Sequence, residues 1–371
     1  MQMNVPFGLA GDPESLAMLS DTLAAALRDH DEDGAALWST LSRDIALGGA
    51  TIAESQGGLG GGAGESWVIM EALGRAVSWT PYLSSVVLGA GPLRIAGGEL
   101  AEQLLPQVAA GDIRLALAYL EPDRRNAVRP ETTIAEKVDG GWRIDGTKVA
   151  ALGLGDADWL LLSARDTSGG TSLFAIEADR PELTITRYET LDGEGAADLR
   201  IDGLVVPDTA LVGPAGETQP ILERVIDEGI AAICAAACGT MRVLIDSTVD
   251  YCKERRQFGQ ALADFQILQH RLVDMHIAAE QATSLSQLAF AKLDGPADER
   301  REAISGAKYL VSEACRTVSQ GAVQLHGGIG TTEELVIGRY FKRALMMEHL
   351  FGGAAYHLDR YRRARPDDPQ S

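Results

Sequence analysis

The chain has 371 residues, of which 46% are apolar, and its formal net charge is −20 at pH 7. This length and apolar content allow a large buried core and two or three domains. The excess of acidic side chains opposes binding to nucleic-acid backbones and to anionic membrane surfaces. The composition therefore indicates a globular protein whose partners are neither nucleic acids nor membranes.

Neither a targeting signal nor a metal-binding pattern is predicted. The N-terminus has no basic stretch followed by an apolar one, and no apolar run reaches the roughly 20 residues that span a bilayer. We therefore expect a cytoplasmic protein. The four cysteines, Cys234, Cys238, Cys252 and Cys315, show neither a CxxC pair nor zinc-ligand spacing. Cys234 and Cys238 lie in an alanine-rich helical stretch, where thiols behave as small buried apolar groups.

Residues 1–112 are predicted to form an N-terminal helical domain. Apolar residues recur at helical spacing over Ser15–Arg28 and Trp67–Val77, and Ala35–Leu41 is predicted as a further short helix. Gly57–Gly64 matches the dinucleotide fingerprint G-x-G-x-x-A, but no convincing strand precedes it and no βαβ unit follows. We interpret this glycine-rich stretch as a connector between helices.

Residues 113–213 change to the period of β-strands. Short apolar or alternating runs are separated by turn signals such as Asp139-Gly140-Gly141 and Asp192-Gly193. The lack of helical patterns between them favours an antiparallel β domain over parallel winding. The predicted strands are Arg114–Tyr119, Thr132–Val138, Trp142–Ile144, Trp159–Ser163, Ser172–Ile176, Leu183–Arg187 and Leu199–Val206.

Residues 214–365 return to long helical patterns, broken at Asp294–Pro296 and at Gly327–Gly328. These stretches are long enough for a four-helix bundle, and a flexible tail is predicted for residues 366–371. The predicted fold class is therefore α+β, with helices, an antiparallel β domain and a C-terminal bundle in that order. The predicted bundle helices are Ile221–Lys253, Phe265–Leu293, Glu299–His326 and Glu333–Phe351.

Two segments in the C-terminal part contain the strongest functional signal. The first is Glu254–Gly259 (ERRQFG), followed by Phe265-Gln266, and the second is Gln324–Gly330 (QLHGGIG). Tyr340–Arg343 (YFKR) then precedes a glycine-rich turn. With these motifs the chain resembles the acyl-CoA dehydrogenases over nearly its whole length, and most of all the small subunits of pimeloyl-CoA-type dehydrogenases.

The resemblance implies an oxidoreductase that uses FAD to remove the α proton and the β hydride of an acyl-CoA, leaving a trans-2-enoyl thioester. It implies a homo-oligomer, or an α2β2 heteromer with a larger acyl-CoA dehydrogenase subunit, and an electron-transferring flavoprotein as the acceptor. A carboxylate suits the role of base because burial raises its pKa toward the working pH.

By resemblance, two groups of residues contact FAD held by an adjacent subunit. Arg255 and Phe258 match positions at the pyrophosphate and adenine, and a guanidinium fork binds phosphate oxygens bidentately. Gln324, Gly327 and Gly328 match the second contact, where glycines permit close approach of backbone N–H groups. The alternatives are a solvated helix end for the first group and a simple helix C-cap for the second.

The positions that would face the flavin ring are replaced. The family's T-E-P-x-x-G-S-D stretch corresponds to Leu120–Asn126, which keeps only Glu121-Pro122, and its tryptophan-isoleucine-threonine corresponds to Ala150–Leu152. A hydroxyl and an indole are thereby lost, which together amount to roughly a few kcal/mol of flavin binding.

The usual positions of the catalytic base are replaced as well. They correspond to Phe351 and Gly229. Glu228 is the predicted base, although adjacent helix positions differ by about 100° in direction, so this role requires a shifted or distorted helix start. Otherwise Glu228 is a first-turn acidic residue favoured by the helix dipole. Glu348 is a weaker candidate.

Three functions remain open. The first is an FAD-dependent acyl-CoA dehydrogenase, active alone or within a heteromer. The second is a catalytically degenerate subunit that completes a partner's FAD site in trans. The third is a flavin-free scaffold that binds acyl-CoA. The chain keeps the residues that would contact a neighbour's cofactor and has lost those that would contact its own cofactor. This difference favours the second function as a mechanism.

Overall fold

The computed structural model describes residues 9–29, 34–76, 79–328 and 336–365, and within them the order of elements confirms the predicted α+β class. The predicted start of the last bundle helix at Glu333 and the predicted tail lie outside these residues. Helices α1 to α10 cover Pro13–Asp29, Gly34–Ser39, Ala63–Arg75, Gly91–Ala96, Glu99–Ala110, Gln219–Glu254, Gln266–Ala291, Ala297–His326, Val336–His349 and Ala354–Arg363. Strands β1 to β9 cover Leu115–Ala118, Ile134–Val138, Gly141–Leu152, Trp159–Asp166, Thr171–Glu177, Leu183–Glu189, Gly195–Pro207, Arg256–Gln257 and Gln260–Ala261.

The chain forms two units. The helical unit consists of the described residues of 1–32, 62–78 and 230–371, and the β unit consists of those of 33–61 and 79–229. Helix α6 begins in the β unit and continues into the helical unit. The first helices are thus divided, because α1 and α3 join the helical unit whereas α2, α4 and α5 join the β unit.

The β unit contains a seven-stranded sheet in the order β1-β4-β2-β3-β7-β6, with β5 paired to β4. The pairings are antiparallel except those of β4 with β1 and with β2, which are parallel. Apolar side chains from alternate strand positions fill its core, where Trp142 meets Phe174 edge to face at 5.8 Å. The ladder between β3 and β7 shifts register between Lys148 and Ala151, so that the residues between them leave the regular pleat.

The helical unit is built around the apolar part of α6. The sequence predicts no apolar run of membrane-spanning length, whereas α6 is long and apolar enough to cross a membrane by length and composition. Of its apolar window 89% is buried, as in the core helix of a globular fold. Helices α3 and α6 are in close contact: a Cβ atom at Gly74 would lie 1.9 Å from the carbonyl oxygen of Ala236. The alanine-rich sequence of α6 therefore serves close helix packing.

All four cysteines are free and buried. Burial raises the pKa of the Cys238 thiol to about 12, and that of Cys315 likewise to about 12. They therefore behave as the small apolar groups that the sequence predicts.

Candidate functional site

A tight hairpin follows the end of α6 and presents Phe258 to solvent. Strands β8 and β9 pair through Gln257 and Gln260, and the two turn residues between them, Phe258 and Gly259, have φ values of 52° and 85°. The Phe258 side chain is 91% exposed, and its ring meets the Phe265 ring edge to face, with 6.3 Å between the ring centroids. The left-handed backbone conformation is strained for a bulky residue. Packing against the interior of the chain does not offset this strain, because the side chain lies in solvent. This geometry suits a contact with another molecule.

Arg255 lies next to this hairpin. Its backbone N–H continues the helical pattern by donating to the Tyr251 carbonyl at 2.8 Å, and its side chain is exposed. Among the residues that the structure describes, no carboxylate pairs with its guanidinium. Arg255 therefore presents a free planar donor of the kind that binds phosphate oxygens.

The end of α8 offers an open stretch of backbone. Gly327 has a φ of 66° and its N–H donates to the carbonyls of Val323 and Gln324, so it is a helix C-cap. A Cβ atom at Gly327 or Gly328 would meet no atom of the described residues within 4 Å. The conformation explains glycine at Gly327, and no side chain at either position would stand between the helix end and a ligand. Gln324 is exposed at the same helix end.

The two segments predicted to contact FAD lie together. The Tyr251 ring stacks on that of His326, with centroids 4.3 Å apart, and its hydroxyl donates to the His326 carbonyl at 3.4 Å. His326 is buried and its Nδ1 lies 2.9 Å from the Ala322 carbonyl oxygen, so it is a packing residue. This contact brings the ends of α6 and α8 side by side. Arg255, Phe258, Gln324, Gly327 and Gly328 thus belong to one surface of the helical unit.

In the β unit, the retained Glu121 anchors a loop. Its carboxylate accepts the backbone N–H groups of residues 131–133, each at 2.9 Å, and pairs with Lys148 Nζ at 3.0 Å. Lys148 is fully buried and also donates to the Tyr119 carbonyl and to Ser163 Oγ. Burial raises the pKa of Glu121, but Lys148 and the three N–H groups outweigh it and lower that pKa to about 2. The presence of the Glu-Pro pair is therefore explained by the role of Glu121 in holding this loop in the fold.

The segment that would face the flavin ring does not fit it. Ala150 has a φ of 51°, and its N–H donates to Asp198 Oδ1 at 3.0 Å. Ala151 and Leu152 are buried and carry no polar side-chain atom. The hairpin and the α8 end are therefore suited to FAD, whereas the Ala150–Leu152 segment supplies neither a side-chain hydrogen bond nor a stacking surface to the flavin ring.

Glu228 lies within a cluster of charges. Its side chain is buried, and its two oxygens accept bonds from Arg94 and from Arg224, the latter at 2.8 Å. Helix α6 begins at Gln219, so the alternative that Glu228 is a first-turn residue is wrong. The role of Glu228 as base stays a prediction, for a carboxylate whose two oxygens each accept a bond from an arginine. The spacing of Arg224 four residues earlier could have indicated one of these pairs.

The turn at Phe351 contains no unpaired carboxylate either, within the described part of the chain. Phe351 has a φ of 60°, and its carbonyl oxygen lies 3.0 Å from His357 Nε2. Glu348 is buried and paired with Arg316. The buried Lys308, which the sequence analysis missed, donates to the carbonyls of residues 347 and 348 at 2.6 and 2.9 Å.

Known proteins share this architecture. A family model for the C-terminal domain of acyl-CoA dehydrogenases matches residues 220–364. The CarC subunit of the caffeyl-CoA reductase-Etf complex of Acetobacterium woodii is 28% identical, covering 79% of this chain and 80% of that protein. Among solved structures, a variant of the Tcur3481-Tcur3483 steroid ACAD is 30% identical with a TM-score of 0.86, covering 96% of this chain and 99% of the other. The ChsE4-ChsE5 complex from Mycobacterium tuberculosis is 25% identical with a TM-score of 0.86, covering 97% and 99%.

The fold and these likenesses define the class of FAD-dependent oxidoreductases with helical, β and helical parts. The chain belongs to the acyl-CoA dehydrogenase family.

Proposed function

We propose that this chain is a subunit of an FAD-dependent acyl-CoA dehydrogenase, that it completes the FAD site of a larger partner subunit in trans, and that it abstracts no proton itself. Phe258 is the main support: a 91% exposed aromatic ring held in the left-handed region beside an exposed arginine. Such a side chain gains its stabilisation only when another molecule covers it.

Each residue of this surface has a role that its chemistry suits. Arg255 binds the pyrophosphate, Phe258 covers the adenine, and the backbone at Gly327 and Gly328 approaches the cofactor closely, with Gln324 beside it. FAD, when bound, accepts the hydride of the acyl-CoA. The residues of this chain hold and orient the cofactor while the partner supplies the base and the flavin-facing wall.

The paired carboxylates favour the trans role over independent catalysis. A general base needs a free lone pair within reach of the substrate proton. Glu228 has both oxygens occupied by arginines, and Glu348 is paired with Arg316. Phe351 and Gly229 carry no proton acceptor. An independent dehydrogenase would have to break a buried ion pair at every turnover.

A heteromer is the assembly that this function requires. Two similar solved structures have the names of two-component assemblies, Tcur3481-Tcur3483 and ChsE4-ChsE5, and one relative is a subunit of an Etf complex. These likenesses support a larger acyl-CoA dehydrogenase subunit as the partner and an electron-transferring flavoprotein as the electron acceptor. The acyl-CoA is then bound and oxidised at a site that both subunits complete.

Spectra of the chain alone and co-expressed with its genomic neighbour test this proposal. We expect a colourless chain alone, and a yellow complex that acyl-CoA bleaches. In the complex, Arg255→Gln is expected to weaken FAD binding by about 10- to 100-fold, the value of a charge-assisted hydrogen bond. The matched control is Arg200→Gln, at a 71% exposed arginine of the β unit.

Three outcomes would contradict parts of the proposal. A yellow chain that acyl-CoA bleaches without a partner would show an independent dehydrogenase. A colourless complex would favour a scaffold without flavin. Glu228→Gln is expected to leave the rate of flavin reduction in the complex within about twofold of the wild type, and a loss of about 100-fold or more would identify Glu228 as a base.

A further inference from the structure

The β unit contains a cavity of about 260 Å³ that is partly open to solvent and that the proposed function does not use. Its walls come from α2, the segment before the π-helical turns of Tyr82–Gly89, the start of β1, the turn after β3 and the turn between β6 and β7. At about 30 Å³ per water, this volume corresponds to roughly nine water molecules. The cavity is large enough for a small metabolite.

Trp38 contributes a hydrogen-bond donor that its own chain leaves unused. Its side chain lines the cavity and is 5% exposed, yet Nε1 has no acceptor among the described residues. A buried N–H without a partner is rare and requires an explanation. The other tryptophan of the cavity differs, because Trp79 Nε1 donates to the Asp192 carbonyl at 3.1 Å.

Arg114 lines the same cavity, and no carboxylate pairs with its guanidinium in the described part of the chain. Its backbone N–H is held by Asp158 Oδ2 at 2.7 Å, which fixes the position of the residue. A neutral indole N–H together with a guanidinium provides the donors that a carboxylate accepts.

Asp156 and Glu194 add negative charge to the lining. Asp156 is exposed, whereas Glu194 is 6% exposed and has other contacts within the fold. With Arg114 the formal charge of the lining is negative, which disfavours a simple anion. The same carboxylates attract an ammonium group, and the two indole faces favour a cation as well.

We infer that this cavity binds a small zwitterion, whose carboxylate accepts from Trp38 Nε1 and Arg114 and whose ammonium group faces Asp156. Both ends of the ligand are then paired, and the buried indole N–H gains its acceptor. All residues that line the cavity belong to the β unit, and none of them is a residue of the proposed FAD surface, so the inference does not rest on the proposed function.

Calorimetry on the full chain with three probes tests the inference: 4-aminobutyrate carries both charges, butyrate only the carboxylate and butylamine only the ammonium group. We expect saturable binding of 4-aminobutyrate with an affinity about tenfold or more above that of either other probe. Trp38→Phe keeps the ring but removes the N–H, and Arg114→Gln removes the charge. Each is expected to weaken binding by about tenfold.

Arg125→Gln is the matched control, because this exposed arginine of the same unit does not line the cavity. It should bind 4-aminobutyrate like the wild type. Equal affinities for the three probes, absence of saturable binding up to about 10 mM, or unchanged affinity in Arg114→Gln would each overturn the inference. If Trp38→Phe fails to fold, Arg114→Gln at the partly exposed position decides the question.

Discussion

The buried pair of Glu121 and Lys148 allows a quantitative test of how the β unit is held together. Glu121→Gln keeps the size of the side chain but removes its charge. The carboxylate accepts three backbone N–H groups from residues 131–133 as well as the Lys148 ammonium group. A glutamine has one acceptor oxygen, and its amide N–H₂ group would point at a donor.

The expected cost follows from burial. The Lys148 side chain is 0% exposed and that of Glu121 is 2% exposed, so removal of one partner leaves a charge without compensation. Breaking such a pair costs about 3–5 kcal/mol in the free energy of unfolding. An exposed pair is worth about 0–1 kcal/mol. The Arg200–Asp202 pair, with side chains 71% and 76% exposed and atoms 3.6 Å apart, is the matched control.

Guanidinium denaturation at pH 7, followed by tryptophan fluorescence, measures these energies. Glu121→Gln, Lys148→Met and the double variant form a double-mutant cycle, with Asp202→Asn as the control. We expect a coupling energy of about 3 kcal/mol for the buried pair. A coupling below about 1 kcal/mol, which is the range of an exposed pair, would refute the reasoning that the buried pair of Glu121 and Lys148 stabilises the β unit.

Three further predictions concern pH, a buried lysine and a glycine. Since the pKa of Glu121 is lowered from 4.5 to about 2 in the folded chain, its contribution is complete above pH 4.5 and is lost as the pH falls toward 2. Denaturation at pH 5 and pH 3 should show an acid loss of about 2 kcal/mol, out of about 3 kcal/mol in total, in the wild type and not in Glu121→Gln. Lys308→Met removes the ammonium donor of the buried Met347 carbonyl and one of two donors of the Glu348 carbonyl, which keeps Ser312 Oγ at 3.3 Å, and it is expected to lower the free energy of unfolding by about 1–3 kcal/mol. Faster amide exchange at the end of α9 would localise this loss, and unchanged exchange there would count against it. Gly153→Ala places a Cβ atom 2.5 Å from Ser84 Oγ at a φ of 68°, so it should destabilise the chain by about 2 kcal/mol, and equal stability of the two proteins would disprove this.

Most of the fold can be predicted from hydrophobic periodicity, and the helices that were missed share physical reasons. The Tyr82–Gly89 segment is apolar on nearly every side and buried, so it has no amphipathic pattern. Helix α10 is polar, with three arginines in its last turn, and only His357 is fully buried. Its helical state depends on packing against α8, a tertiary contact that local sequence does not contain.

In the candidate site, too, features set by neighbouring residues can be predicted from the sequence, whereas contacts between distant residues cannot. The hairpin residues and the glycines after α8 can be predicted from motifs because each motif is continuous in sequence. The ion pair between Arg94 and Glu228 joins residues 134 positions apart. The pair of Glu121 with Lys148 crosses 27 positions. Such contacts arise only when the sheet and the helices have formed, so neither partner alone reveals them.

The same contacts explain why a chain can keep one half of a flavin site and lose the other. A contact offered to a neighbour requires only exposed groups on a rigid support, which the stacked Tyr251 and His326 provide for Arg255 and Phe258. A base, in contrast, must be buried and still unpaired, which is the costly state of a carboxylate. Pairing with two arginines offsets part of that cost at Glu228 and directs both of its oxygens to guanidinium groups. This arrangement agrees with the proposed function, in which the partner subunit would supply the base.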